Sequence, residues 1–165
     1  MKYIRIGLHN NNRWVLKLFM VLLCLLFTGC TKGGEDTFKV DRVETATSVT
    51  LTDGLQDWRN YVTQKSFTSG YSGEFWVMFN FSNVLHDGKI NFKANIYIVS
   101  DGDLISEENK EAAITDSSDN KLWWGNLFDI SMYPDGDYSA IVTVTDLISG
   151  TSASLTTAFK IGSTQ

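Results

Sequence analysis

The chain has 165 residues, of which 14 are basic and 19 acidic, and its formal net charge is −5 at pH 7. This length suits one domain of ordinary size with a short extension. The negative charge repels phosphate backbones and anionic lipid head groups, so it argues against nucleic acid binding and against electrostatic docking on a membrane.

The first 29 residues have the anatomy of a secretory leader. Three basic residues and no acidic residue precede residue 14, and the apolar stretch 14–27 is interrupted only by Lys17. A helix that spans a bilayer needs about 20 apolar residues, which is more than this stretch supplies. Small residues, Thr28 and Gly29, follow it, as they do at a signal-peptide cleavage site. The sequence therefore predicts a signal-peptide helix over residues 1–29.

Cys30 comes directly after this leader, in the local sequence Leu26-Phe27-Thr28-Gly29-Cys30. The segment resembles the lipobox of bacterial lipoproteins, although Phe27 stands where that family usually has leucine. The resemblance implies cleavage before Cys30 and acylation of its thiol with chains such as palmitate, which would anchor the protein in a membrane. An ordinary secretory signal with an incidental cysteine, or an uncleaved anchor helix, are the alternatives.

Cleavage at this point would change the chemistry of the remaining chain. The basic count falls from 14 to 10 against 19 acidic residues, so the formal charge becomes −9. Cys24 and His9 leave with the leader, and Cys30 is committed to lipid. His86 is then the single histidine that remains in the sequence, and no cysteine thiol is free. The remaining residues therefore offer neither a set of zinc ligands nor a cysteine nucleophile. The sequence predicts no cofactor, no metal site and no enzyme activity.

Residues 30–37 are predicted to be the lipidated cysteine and a flexible tether, because glycine and charged residues dominate them without periodicity. Glu35-Asp36 after Lys32 loosely resembles the acidic export tag of Bacteroidetes surface lipoproteins. The resemblance implies a lipid-anchored protein of the outer membrane that faces the periplasm or the cell surface.

Residues 38–165 are predicted to form one all-β domain. Alternating apolar and polar runs, or short β-forming runs, predict strands at 38–43, 48–51, 74–81, 90–99, 138–145 and 154–161. An Asp87-Gly88 turn between two of these runs predicts that 74–81 and 90–99 form a hairpin. The one helical candidate is residues 107–113, which is long enough for about two turns.

The segment 133–146 contains the pattern Pro134-x-Gly136-x-Tyr138 before a strand, and a Ser149-Gly150 turn leads into the last strand. This pattern resembles the end of an immunoglobulin-like or fibronectin type III-like domain, where the tyrosine hydroxyl ties back to nearby backbone. The resemblance implies an antiparallel β-sandwich of about seven strands. It implies a fold only, since many unrelated functions share this sandwich.

Three tryptophans are the candidate ligand-binding residues. Trp123 and Trp124 are adjacent, and adjacent residues of a strand point to opposite faces, so one is expected in the core and the other outward. Trp76 points outward if Phe75 points inward. Exposed tryptophans can stack on sugars or form a protein-binding patch, but partial burial under another layer or an N-terminal strand explains them equally well.

Two polar segments are weaker candidates. The acidic segment 101–119 offers carboxylates for calcium but lacks the spacing of an EF-hand, so it is predicted to be a solvated crossover loop. His86 beside Asp87 precedes a tight turn, where polar residues are common without a catalytic role. The sequence as a whole predicts a lipid-anchored binding or structural module that works through protein–protein contacts. A glycan-binding module that uses exposed tryptophans is the alternative.

Overall fold

The computed structural model of the chain describes residues 37–52 and 55–162. The predicted signal peptide, Cys30 and all but the last residue of the predicted tether lie outside them. Nine strands and no helix occur in the described residues, which confirms the all-β class. In this part of the chain there is accordingly no helix that could cross a membrane.

The nine strands form two sheets. The strands are β1 (Lys39–Thr52), β2 (Leu55–Thr63), β3 (Ser66–Phe67), β4 (Phe75–Ser82), β5 (Ile90–Ser100), β6 (Asp103–Ile114), β7 (Lys121–Phe128), β8 (Gly136–Asp146) and β9 (Ser152–Ile161). The first sheet has the order β2-β1-β4-β7 and the second has the order β3-β9-β8-β5-β6. Every pairing is antiparallel except that of the two-residue strand β3 with β9.

This strand order is immunoglobulin-like. In one sheet β4 lies between β1 and β7, while β5, β8 and β9 are neighbours in the other. From β4 onward the chain crosses between the sheets after β4, after β6 and after β7. Crossings of this kind produce the Greek-key sandwich of that superfold. The predicted sandwich is confirmed, with nine strands rather than about seven.

The predicted hairpin between β4 and β5 is wrong. His86 and Lys89 do close a tight turn with two reciprocal 2.9 Å backbone hydrogen bonds, and Asp87 and Gly88 both have positive φ. The flanking strands nevertheless separate into different sheets, where β4 pairs with β1 and β7. Residues 75–81 are buried on both faces, so β4 takes a central position in its sheet that a local turn cannot reveal.

The predicted helix at 107–113 is also wrong, because these residues belong to β6. The predicted crossover loop 101–119 therefore contains a 12-residue strand. Most of β6 alternates between exposed and partly buried positions, and it pairs with β5 along its length. Glutamate, lysine and alanine favour helices locally, but pairing with an established neighbouring strand outweighs that weak preference.

The core lies between the two sheets and follows the predicted alternation. Its buried side chains from three central strands are Phe75, Val77, Phe79 and Phe81 of β4, Phe92, Ala94, Ile96 and Ile98 of β5, and Tyr138, Ala140, Val142 and Val144 of β8. On β9, Thr157, Phe159 and Ile161 are buried as predicted, whereas Leu155 is exposed. The side chains that each central strand directs into this core therefore follow period-two spacing.

The expected hydrogen bond from Tyr138 to nearby backbone, called the tyrosine corner in immunoglobulin-like domains, is present. The buried Tyr138 hydroxyl donates a 2.6 Å hydrogen bond to the carbonyl oxygen of Pro134, four residues upstream. Its ring stacks on Phe159 at 5.3 Å and on Tyr133 at 5.7 Å between centroids. The loop before β8 is thereby tied to the strand that follows it.

Replacement of Tyr138 by phenylalanine is expected to lower the free energy of unfolding by about 0.5–1.5 kcal/mol, because it removes this hydrogen bond and keeps the ring. Urea denaturation followed by tryptophan fluorescence measures the change. Tyr133→Phe, which keeps the stacked ring next to it, is the control and should shift stability by less than about 0.5 kcal/mol. Equal effects of the two substitutions would contradict a specific role for the corner.

Candidate functional site

The outer face of the first sheet carries a second, smaller apolar cluster. Ala46, Trp76 and Met78 are buried there, and Trp58 and Tyr61 of β2 pack against them. An irregularity in the β1–β2 register falls between Ala46 and Ser48. Strand β2 also contacts β7, although β1 and β4 lie between them in the hydrogen-bonded order. The first sheet therefore curls, which brings β2 against the outer face.

Gly125 of β7 makes this close approach possible. A Cβ at this position would lie 2.5 Å from Met78 Sδ and 3.0 Å from the Trp58 ring. A larger residue would push Trp58 away from the sheet. The absence of a side chain at Gly125 lets Trp58 pack closely against β7 and Met78.

Trp76 lies on the outer side of β4, as predicted, but only 8% of it is exposed. Trp58 covers it edge-on with ring centroids 5.8 Å apart, and the indole N–H donates a 2.9 Å hydrogen bond to Glu74 Oε2. Because β2 forms a lid over it, Trp76 does not provide an open contact surface.

Trp124 connects the second cluster to the main core. It stacks on Trp58 at 5.8 Å with an interplanar angle of 18°, and it meets Phe92 of the second sheet edge-on at 5.4 Å. Trp124 is partly buried and packs against the main core, so it is the core-directed member of the adjacent pair.

Trp123 is the outward member of the pair, and it lines an open groove. The groove has a volume of about 600 Å³, and its other lining residues are Trp58, Arg59, Ser82, Asn83, Asp119, Asn120, Lys121 and Leu122. Lys121 Nζ lies 5.7 Å from the Trp123 ring centroid, within cation–π range. We call this the Trp123 groove. An aromatic wall beside amide, carboxylate and cationic groups can take a ligand with both polar and apolar surfaces.

A polar network lies next to this groove. The Tyr61 hydroxyl donates a 2.7 Å hydrogen bond to Glu44 Oε2, and Arg42 Nη1 is 3.8 Å from the same oxygen. Burial, followed by the hydrogen bond to Glu44, raises the pKa of Tyr61 to about 12, so its hydroxyl stays protonated at neutral pH. The Tyr61 ring lies 6.3 Å from Trp123, which places a fixed donor network beside the tryptophan.

The start of β6 presents a different kind of surface. Leu104 is 51% exposed and Ile105 is 41% exposed, and the register of the β5–β6 pairing shifts here, so that Ile105 is an extra residue in a β-bulge. In the described residues β6 is the last strand of its sheet and pairs only with β5. This end of the strand therefore exposes two apolar side chains and one backbone edge.

His86 contacts a buried carboxylate. His86 Nε2 lies 2.6 Å from Asp146 Oδ2, and the Ser149 hydroxyl donates to the same oxygen. Histidine and serine each contact the aspartate rather than one another, so the geometry is not that of a serine–histidine relay. Among the described residues, no three His, Cys, Asp or Glu side chains are grouped to hold a metal ion.

The pKa of Asp146 reflects opposing effects. Burial raises it, but hydrogen bonds from Ser149, the Ile148 amide and His86 outweigh burial, so the pKa lies below its ordinary value. A carboxyl group with a depressed pKa in the folded state stabilises the fold above its unfolded pKa of about 3.9, and this contribution is lost as pH falls through the folded value.

Asp146→Asn is therefore expected to cost about 1–3 kcal/mol at neutral pH, because it leaves buried partners unsatisfied. The difference from the unchanged protein should shrink as pH falls below about 4, where the aspartate itself loses its charge. Urea denaturation at several pH values measures both effects. Asp87→Asn, an exposed change in the neighbouring turn, is the control and should cost little at any pH. A cost for Asp146→Asn that does not change with pH would contradict the ionised role.

Strand β2, which contains Arg59 and Tyr61, was not predicted from the sequence. A usable signal was present, since Gly54 is followed by a run that contains the β-formers Trp58, Tyr61 and Val62. That run lacks strict period-two alternation, in line with the register irregularities of its pairing with β1.

No family model matches the chain, and no curated protein matches it. Among solved structures, the chain is similar to the CARDB domain of a Pyrococcus furiosus protein, solved in complex with di-metal ions. The TM-score is 0.36 at 10% identity, and the similarity covers 76% of this chain and 91% of that chain. The immunoglobulin-like assignment rests on the strand order and the tyrosine corner rather than on this distant similarity.

Proposed function

We propose that the protein is a lipid-anchored envelope protein without enzyme activity, whose immunoglobulin-like domain is a binding or structural module that works through protein–protein contacts. The lipobox-like segment before Cys30 supports the anchor, and the acidic tether supports an outer-membrane location facing the periplasm or the cell surface. The protein's partner would be another envelope protein.

The uncovered start of β6 is the observation that supports protein contacts. An open strand edge can accept an extended segment of a partner, whose backbone then continues the sheet. Leu104 and Ile105 add two exposed apolar side chains to that edge, and burying them would strengthen the contact. Further along β6, Glu107 and Glu111 are exposed and charged, which discourages pairing there and confines the contact to the start of the strand.

A photo-crosslinking amino acid at position 104, incorporated in living cells, tests this surface. We expect one discrete adduct with an envelope protein, and we expect Ile105→Asp to abolish it. The matched control is the same crosslinker at position 93, an exposed lysine on β5, which is paired with β6 on one side and with β8 on the other. Identical adducts at both positions, or none at position 104, would count against a β6 interface.

The Trp123 groove supports the second candidate, a glycan-binding module. Its partly exposed indole lies beside Asn83, Asp119, Asn120 and Lys121, and side chains of this kind combine stacking with hydrogen bonds to hydroxyl groups. On a glycan array, Trp123→Ala should lose binding while the fold remains stable. Trp124→Ala should chiefly reduce stability, because Trp124 packs against the main core and does not line the Trp123 groove. Absence of binding by the unchanged protein would remove this candidate.

A further inference from the structure

The tip of the β8–β9 hairpin exposes two adjacent branched aliphatic side chains. Leu147 is 39% exposed and Ile148 is 46% exposed. Single exposed apolar residues are ordinary on a protein surface, but two neighbours at the tip of one turn form a small apolar projection. We propose that this tip contacts the lipid bilayer in which Cys30 is anchored. The proposal rests on the lipid anchoring proposed above.

The turn is built so that these side chains stay outside. The Ile148 amide donates to Asp146 Oδ1 at 2.9 Å, and the Gly150 amide donates to the Asp146 carbonyl oxygen at 2.8 Å. Gly150 has φ +75°, which favours glycine. The Leu147 amide donates to the Asn91 carbonyl oxygen at 2.8 Å. Since its backbone is held at four residues, the tip cannot readily fold its aliphatic side chains back onto the domain.

The tip lies at the end of the sandwich where the described chain begins. Asn83 Nδ2 donates a 2.8 Å hydrogen bond to the carbonyl oxygen of Thr37. The loop that starts at Asn83 also contains His86, which contacts Asp146 at the base of the tip. The start of the domain and the apolar tip are therefore joined through one short loop.

The tether is short enough to hold this end near the bilayer. Seven residues, 31–37, separate Cys30 from Phe38. Even fully extended, seven residues reach only about 25 Å. Tethering of this kind keeps the tip at a high effective concentration at the lipid surface, so a weak contact suffices to orient the domain.

The chemistry of the tip suits lipid chains rather than head groups. A mature chain with formal charge −9 is repelled by anionic lipids, so contact must come from apolar insertion. Leucine and isoleucine are residues that enter the boundary between head groups and acyl chains. The open start of β6 is near the opposite end of the sandwich. A membrane contact at the tip would therefore direct the start of β6 away from the membrane.

The test uses the mature lipidated protein, from Cys30 to the end of the chain, with Ile148→Cys labelled with the polarity-sensitive fluorophore NBD. The acylated Cys30 cannot react, so the introduced thiol is the only one available. The protein is reconstituted in phosphatidylethanolamine–phosphatidylglycerol vesicles with or without spin-labelled acyl chains. The matched control is NBD at Met132→Cys, since Met132 is 88% exposed in the loop after β7, at the other end of the sandwich.

We expect the acyl-chain quencher to reduce NBD emission at position 148 at least about two-fold more than at position 132, with a blue shift at position 148 only. Equal quenching at both positions in protein whose mass shows acylated Cys30 would overturn this proposal and leave the lipid anchor standing. An unacylated Cys30 and failure to bind vesicles would overturn the anchor and this proposal together.

Discussion

Phe75→Ala is expected to lower the free energy of unfolding by about 3–5 kcal/mol. Phe75 is fully buried, and its ring contacts Phe159 at 4.8 Å, Phe67 at 5.0 Å and Phe128 at 6.4 Å between centroids. Phe67 and Phe159 belong to the second sheet, so the ring joins the two layers of the sandwich. Its removal would leave a cavity and forfeit aromatic contacts on several sides.

A loss of this size is a large part of the stability of an ordinary domain, which is about 5–15 kcal/mol. Urea denaturation monitored by tryptophan fluorescence measures it. Phe38→Ala is the control, because Phe38 is only partly buried and contacts one ring, that of Phe81, at 6.2 Å. We expect the Phe38 substitution to cost less than half as much. Equal costs at the two positions would show that Phe75 does not link the sheets.

Cys30→Ala is expected to move the protein out of the membrane fraction. Two acyl chains anchor a protein stably in a membrane, whereas a single chain binds only marginally. Without Cys30 the protein would have no acyl chain and only the small apolar tip to contact lipid. We therefore expect nearly all of the protein to leave the membrane fraction. Fractionation followed by intact-mass measurement of the mature protein tests this, because the acyl mass should also disappear.

Cys24→Ala is the matched control, since Cys24 lies within the predicted leader and should leave with it. We expect this variant to fractionate like the unchanged protein and to have the same mature mass. Membrane retention of Cys30→Ala at an unchanged mature mass would show that the lipobox interpretation is wrong. An ordinary secretory signal would instead release both variants.

Period-two patterns predicted the central strands correctly because the residues on the buried face of a strand are apolar and recur at every second position. Phe92, Ala94, Ile96 and Ile98 are all fully buried, and their alternation is visible without any structure. Tyr138 was predicted for a similar reason, since the corner forms with a residue only four positions away. Local spacing decides both features.

The pairing partners of the strands were harder to predict. The Asp87-Gly88 turn is real, yet β4 and β5 enter different sheets, and β6 forms where local preference favours a helix. The first outcome depends on residues far away in the chain, whereas β6 pairs with β5, the strand directly before it. Sheet membership follows from which neighbouring strand buries more surface, and a turn or a helix propensity contains no information about that neighbour.

The tryptophans separate what can be predicted from the sequence from what depends on the tertiary structure. The sequence by itself determined the β-sandwich class, the inward faces of its central strands and the opposite directions of Trp123 and Trp124. Only the tertiary structure decided that β2 covers Trp76, that Trp58 stacks on Trp124 and that Trp123 is left beside an open groove. The direction of a side chain follows from backbone geometry, which is local, whereas its exposure depends on a distant strand that the curl of the sheet brings over it.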